Sequence, residues 1–159
     1  SGCILVTLLS ERPEATGLGV DLSEAACLQA SANAVLHGVV DRADIRQPDW
    51  LTEVSGGFDL IVSNPPYISR SEMDDLSPEV RDHEPEMALT DGADGLEAYR
   101  NILASVVLHL VEGGRLLVEI GPKQGAAVAD LFQKAGLGQV QILPDLDGRD
   151  RVVSGIRPV

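Results

Sequence analysis

The sequence predicts an α/β fold with a mostly parallel sheet that is completed by an antiparallel pair of strands at the carboxyl end. Short, continuously apolar runs alternate with stretches whose apolar residues recur at helical spacing, which is typical of helices packed on a parallel sheet. Near the end, 139–143 and 151–156 predict two strands joined by a turn-rich segment, as in an antiparallel pair. The 159 residues suffice for one domain with a buried core.

Composition and charge favour a soluble protein over a membrane-spanning or nucleic-acid-coating one. The formal net charge of -13 and the pI near 4.4 favour solubility and argue weakly against a long nucleic-acid track. The apolar run from Cys3 to Leu9 is too short to span a bilayer, and no basic segment precedes it, so we expect a cytoplasmic protein. Cys3 and Cys27 lack metal-ligand spacing. Both are predicted to be buried small hydrophobes in a reducing compartment, and no metal site is expected.

In the first half of the chain, helix-breaking and helix-capping residues separate the predicted elements. Pro13 prevents the first helix from continuing, Ser23 is a fair cap for the second, and Gly38 ends it. The predicted elements are a helix over 2–12, a strand over 15–21, a helix over 23–37, a strand over 41–47, a turn over 48–50 and a short helix over 51–54.

In the second half, Gly56 and Gly57 precede a strand whose apolar run, 60–62, is expected to be covered on both faces of the sheet. The segment 69–95 is too polar and too often interrupted by proline for a regular element, which predicts a long functional lid or binding loop. The later predicted elements are a helix over 95–111 ended by Gly113 and Gly114, a strand over 115–120, and a helix over 124–135 ended by Gly136.

Asp21 is the first candidate binding residue. A carboxylate at the end of such a strand can accept from both hydroxyls of a ribose. The alternative is an ordinary acid at a helix N-terminus, stabilised by the helix dipole. Gly2 lies nineteen residues upstream, the spacing at which the last glycine of a nucleotide-binding loop precedes that acid. Ser1 and Gly2 would then be the last two residues of such a loop.

Trp50 follows Asp49 in the predicted turn after the strand over 41–47. Its indole could stack on an adenine ring or could anchor a core. With a nucleotide site predicted nearby, we favour the adenine contact and assign Asp49 and Trp50 to the cofactor.

The most specific motif is Asn64-Pro65-Pro66-Tyr67, at the exit of the strand that begins near Phe58. The two prolines fix two successive φ angles and remove two backbone donors, so the exit is stiff. The side-chain carbonyl of Asn64 and the backbone carbonyl of Pro65 are two acceptors suited to orienting a planar NH2 group, with Tyr67 packed against it. The plain alternative is a turn after a strand.

The residues from Asp59 to Ile68, with the segments 83–89 and 91–96, closely resemble the release factor glutamine methyltransferases (the PrmC or HemK family). The similarity covers essentially the whole chain, through 147–151. It implies a Rossmann-like class I methyltransferase fold, S-adenosylmethionine as cofactor, and N5-methylation of the glutamine in the Gly-Gly-Gln motif of peptide chain release factors, which would be the partners.

The resemblance also assigns residues. It implies that Gly2, Asp21, Trp50 and Asn64 contact the cofactor. Asn64 is implied to serve both cofactor and substrate, because methyl donor and acceptor would meet there. In the same way, the residues implied to hold the glutamine amide are Asn64, Pro65, Pro66 and Tyr67, of which Asn64 and Pro65 are the candidate catalytic residues. No catalytic lysine or metal is required for this transfer.

The chain departs from the family at its beginning. Family members carry an N-terminal helical domain, a first strand and a complete glycine-rich loop, of which Ser1 and Gly2 are the last two residues here. We therefore expect 1–159 to be one N-terminally truncated methyltransferase domain that binds cofactor poorly by itself. Two other functions fit the sequence: methylation of an exocyclic amine in DNA or RNA, and a non-catalytic nucleotide-binding module.

Overall fold

The computed structural model describes residues 1–47, 56–81 and 83–159, and the chain divides into two compact units, Ser1–Val54 and Ser55–Val159. The helices are α1 (Cys3–Glu11), α2 (Glu24–Leu36), α3 (Pro78–Arg81), α4 (Glu86–Leu89), α5 (Glu97–Leu103), α6 (Val106–His109) and α7 (Gly125–Lys134). The strands are β1 (Gly17–Val20), β2 (Ala43–Arg46), β3 (Phe58–Ser63), β4 (Leu110–Glu119), β5 (Gly138–Pro144) and β6 (Asp150–Ile156). Among the described residues, no helix has the length and apolar content needed to cross a membrane.

The first unit confirms the predicted order of helix, strand, helix and strand. β1 pairs with β2 in parallel. The Ser23 Oγ atom accepts a hydrogen bond from the backbone N–H of Ala26 at 3.3 Å, and Gly38, with φ +67°, follows the end of α2. Val6, Leu9, Ala34 and Val39 form a small core. The predicted turn and short helix over 48–54 lie outside the described residues.

The two cysteines differ in exposure. Cys27 is buried as predicted, but the prediction for Cys3 is wrong, because its side chain is exposed. Cys3 is the first residue of α1, whose buried residues are Val6 and Leu9.

The second unit has four strands in the order β3-β4-β6-β5. β3 and β4 are parallel, whereas β6 is antiparallel to both β4 and β5. The predicted mixture of a parallel sheet and a carboxyl-terminal antiparallel pair is therefore confirmed. Tyr99, Leu116, Phe132 and Val153 belong to the core of this unit.

The single helix predicted over 95–111 is wrong. The segment forms α5 and α6, and β4 begins at Leu110. The pairing of β3 with β4 shifts between Phe58 and Leu60, where Gly113 has φ +78°. A Cβ atom on Gly114 would lie 2.8 Å from the Phe58 carbonyl oxygen. The glycine pair therefore allows an irregularity within a strand, where the sequence had indicated a helix end.

The expectation that β3 is covered on both faces is also wrong. Ile61 packs against the core, whereas Leu60 and Val62 are 43% and 38% exposed. Alternate residues of a strand point to opposite faces, and the described residues leave the second face largely uncovered.

The segment 69–95 contains more regular structure than predicted. It holds a 3-10 helix over Arg70–Asp75 as well as α3 and α4. Its prolines do not interrupt these helices, because Pro78 is the first residue of α3 and Pro85 caps α4. A proline at a helix start lacks only an N–H that would have no partner within the helix. The expectation of a loop without regular elements is therefore wrong.

Candidate functional site

In the first unit, Asp21 directly follows β1. A local turn orients its carboxylate. Its Oδ1 atom accepts a hydrogen bond from the backbone N–H of Ser23 at 2.9 Å, and its own N–H donates to the carbonyl of Arg46 at 3.3 Å. Among the described residues, none donates to Oδ2. Within the part of the chain that the structure describes, the exposed side chain thus has one carboxylate oxygen available to a ligand hydroxyl.

Gly2 lines the same cavity as Asp21, at a position that excludes a side chain. Its backbone is left-handed, with φ +68°, and a Cβ atom there would lie 2.8 Å from the Cβ atom of Ala30. The carbonyl of Ser1 accepts a hydrogen bond from the Asn33 side chain at 2.8 Å. Ser1, Gly2 and Asp21 line one cavity of about 60 Å³.

The structure therefore brings together three of the five cofactor residues predicted in this unit, Ser1, Gly2 and Asp21. It adds Cys27, which also lines the cavity. The thiol of Cys27 donates toward the carbonyls of Asp21 and Arg46 at 3.4 and 3.2 Å. The sequence analysis did not predict that Cys27 lines this cavity. Its position one turn into α2, six residues after Asp21, was a usable signal. Asp49 and Trp50 lie outside the described residues, so their assignment stays a prediction.

In the second unit, the proline-rich motif leaves the carboxyl end of β3. Ser63 is still paired with Val118 of β4, and Asn64 directly after it is exposed, whereas Pro65 is buried. Among the described residues, none donates a hydrogen bond to the side-chain oxygen of Asn64 or to the carbonyl of Pro65. Both predicted acceptors are therefore without a donor among residues 1–47, 56–81 and 83–159.

The next residues of the exit are held by distant parts of the same unit. The carbonyl of Tyr67 accepts a hydrogen bond from Nε2 of Gln124 at 2.9 Å, and the N–H of Ile68 donates to the carbonyl of Leu89 at 3.0 Å. A Cβ atom on Gly95, which has φ +77°, would lie 2.5 Å from the Tyr67 carbonyl oxygen. Only glycine permits this approach.

Gln124 uses both ends of its amide. Nε2 also donates to the carbonyl of Gly95 at 3.1 Å, while Oε1 accepts from the N–H of Gly121 at 3.0 Å and from the Tyr99 hydroxyl at 3.2 Å. Burial raises the pKa of Tyr99, which keeps its hydroxyl protonated and able to donate. Gln124 was not among the predicted site residues, because 57 positions separate it from Tyr67 and no motif marks it.

Two acidic side chains shape the turn that carries Gly95. One oxygen of Asp91 accepts from the N–H groups of Ala93 and Gly95 at 2.8 and 3.1 Å. Asp94 pairs with Arg100 at 2.6 Å. Hydrogen bonds from the Arg100 side chain and, secondarily, from the backbone N–H of Leu96 lower the pKa of Asp94 to about 2. The turn is thus held by charge-assisted contacts.

The family model described as the methyltransferase small domain matches residues 1–80, half of the chain. The chain belongs to the methyltransferase small domain family. The match includes Ser1, Gly2 and Asp21 as well as the Asn64 motif, so both halves of the predicted site lie within it.

One relative of this methyltransferase small domain is named a release factor glutamine methyltransferase, from Cereibacter sphaeroides. It is 55% identical over 158 residues, which are 99% of this chain and 57% of the relative. The chain therefore spans little more than half the length of that relative.

Solved methyltransferases share the fold. A methyltransferase from Pyrococcus furiosus matches with a TM-score of 0.70 and 14% identity, covering 99% of this chain and 70% of its own. An RNA methyltransferase from Salinibacter ruber in complex with S-adenosyl-L-homocysteine matches with a TM-score of 0.59 and 16% identity, covering 99% and 74%. The predicted Rossmann-like class I methyltransferase fold is confirmed.

Proposed function

We propose that residues 1–159 are a methyltransferase domain that methylates the N5 atom of the glutamine in the Gly-Gly-Gln motif of peptide chain release factors. The observation that carries the proposal is the exit of β3, where Asn64 and Pro65 offer two acceptors on a stiff, anchored path, and none of the described residues donates to either. The name of the relative that is 55% identical supports release factors as partners. Because release factors work at the ribosome, the cytoplasm remains the expected compartment.

The acceptor side of the reaction requires orientation more than a strong base. The lone pair of a glutamine amide is delocalised, and its NH2 group has two protons to donate. Asn64 and Pro65 would accept one each, which aims the nitrogen and favours the positive charge that it develops. The new N–C bond would replace the C–S bond of the methyl donor, and the nitrogen would then release one of its two protons to solvent. Pro66 and Tyr67, both half-buried, would cover the planar amide and exclude water.

The residues of the first unit fit S-adenosylmethionine. The Asp21 oxygen that has no donor among the described residues suits a ribose hydroxyl, and Gly2, which approaches Ala30 too closely to carry a side chain, lines the same cavity. Ser1 and Gly2 would contribute backbone groups, while Asp49 and Trp50 remain the proposed adenine contacts. When bound, the cofactor supplies an electrophilic methyl group, and Asn64 would lie where this group meets the amide.

A labelling experiment tests the proposal. The full-length protein is incubated with S-adenosylmethionine carrying a labelled methyl group and, in separate reactions, with a release factor, with the same factor whose Gly-Gly-Gln glutamine is replaced by alanine, and with DNA or RNA. We expect label only in the unaltered release factor.

Label in nucleic acid, or in the alanine-substituted factor, would contradict the proposed substrate. Binding of S-adenosylhomocysteine in a calorimeter without label in any acceptor would favour the non-catalytic module.

A further inference from the structure

Gln124 makes four side-chain hydrogen bonds at the start of α7, and none of them caps that helix. Its NH2 group donates to the carbonyls of Tyr67 and Gly95, and its oxygen accepts from the N–H of Gly121 and the hydroxyl of Tyr99. A glutamine amide has two donor protons and two acceptor sites, so every one of them is used. Such a fully satisfied and partly buried network specifies one arrangement of the groups that it joins.

We propose that Gln124 is a positioning residue for methyl transfer: it holds the Tyr67 carbonyl and thereby sets the acceptor carbonyl of Pro65. This inference rests on the proposed function and assigns a role to a residue that does not contact the substrate.

The backbone between the two carbonyls transmits this restraint. Tyr67 lies two residues after Pro65, and the intervening Pro66 has a φ angle locked by its ring. Few torsions remain free between the held carbonyl and the acceptor carbonyl. A displacement of Tyr67 therefore moves or rotates the Pro65 carbonyl, while β3 before Asn64 stays anchored by its pairing with β4.

The surroundings also decide which way the Gln124 amide faces. The N–H of Gly121 is a donor only, so the atom that faces it at 3.0 Å must be the oxygen. The Tyr99 hydroxyl faces this oxygen too, and its single proton is shared between the carbonyl of Glu119 at 3.0 Å and the Gln124 oxygen at 3.2 Å. The opposite end of the amide must then be the NH2 group, which is the end that the Tyr67 carbonyl requires.

Gln124→Glu isolates the donor end of this network. Glutamate has nearly the same shape and retains an acceptor for Gly121 and Tyr99, but it places a carboxylate oxygen against the carbonyls of Tyr67 and Gly95. In the full-length protein we expect kcat with a release factor to fall by about 10- to 100-fold, as for a misplaced reacting group. The Kd for S-adenosylhomocysteine should stay within about twofold, because the ribose contact proposed for Asp21 does not involve Gln124.

Two further variants complete the experiment. Gln133→Glu makes the same chemical change at an exposed position of α7 and should leave kcat unchanged. Tyr99→Phe removes the hydroxyl that orients the Gln124 oxygen while retaining the buried ring, and it should lower kcat by about two- to fivefold.

The readouts separate this inference from the proposed function. If the unaltered protein does not label a release factor, the proposed function fails. If it does, and Gln124→Glu keeps a kcat within twofold or changes only KM, the positioning role is overturned. Should Gln124→Glu fail to fold, Tyr99→Phe decides, and an unchanged kcat for this variant would overturn the role.

Discussion

Each of the two units has one strand exit with candidate site residues, and the two exits are built differently. Asp21, after β1, is oriented by the backbone N–H of Ser23, two residues away. The exit after β3 is held through Gln124 and Leu89, which are distant in sequence. A carboxylate that must only keep one oxygen free needs a local turn, whereas two acceptors in a fixed array need support from other elements. Each of the following variants breaks one exit and leaves the other unchanged.

Replacement of Asn64 should have the largest effect. Asn64→Ala removes one of the two acceptors for the amide, and we expect turnover to fall by about 10²- to 10³-fold, the usual loss for one preorganised stabilising group. Because the side chain is exposed, the melting temperature should change little. A methyl-transfer assay and a thermal melt measure the two effects. Asn101→Ala, at an exposed position of α5, is the control; equal turnover of both variants would contradict the assignment of Asn64.

Replacement of Gly95 tests the close approach at the second exit. Gly95 and Gly92 both have φ +77°, but a Cβ atom on Gly92 would meet nothing within 4 Å, whereas one on Gly95 would lie 2.5 Å from the Tyr67 oxygen. Gly92→Ala should cost only the backbone strain of about 1 kcal/mol. Gly95→Ala should lower the free energy of unfolding by about 2–4 kcal/mol. Urea unfolding compares the two variants. Equal losses of unfolding free energy would show that the Tyr67 carbonyl moves away from the added Cβ atom at no energetic cost.

Replacement of Asp21 tests the first exit. Asp21→Asn retains an oxygen for the N–H of Ser23 but replaces the free carboxylate oxygen by an NH2 group. We expect the Kd for S-adenosylhomocysteine to rise by about tenfold, which corresponds to the loss of one charge-assisted hydrogen bond. Calorimetry on the full-length protein measures this Kd. Asp41→Asn changes another exposed acid of the same unit, and its Kd should match that of the unaltered protein.

The smallest effect concerns pH and the turn around Asp94. Its pKa is lowered to about 2 from 3.8, chiefly by the hydrogen bond from Arg100. A lowered pKa means that the stabilisation is complete above the unfolded-state value and is lost as pH falls through the folded-state value. The difference in unfolding free energy between the unaltered protein and Asp94→Asn should therefore be larger at pH 6 than at pH 2. It should be small and should shrink in high salt, since the pair is exposed. A difference that persists unchanged at pH 2 would contradict this origin.

Local signals predicted much of the fold because the relevant interactions are local. Ser23 accepts from an N–H three residues away, and Gly38 takes a left-handed conformation where a helix end was expected. The same prediction, that glycine marks a helix end, was wrong at Gly113 and Gly114. A glycine with positive φ can lie at an irregularity within a strand as well as at the end of a helix. The choice between them depends on β3, to which this segment pairs.

The sequence by itself determined the α/β class, the acid after β1 and the stiff exit after β3, because each depends on the covalent geometry and periodicity of neighbouring residues. Only the tertiary structure decided what holds that exit: the amide of Gln124, with its oxygen turned toward Tyr99, and the bare backbone of Gly95 beside Tyr67. Hydrogen bonds between residues 57 positions apart leave no periodic or spacing signal, since they exist only after the chain has packed.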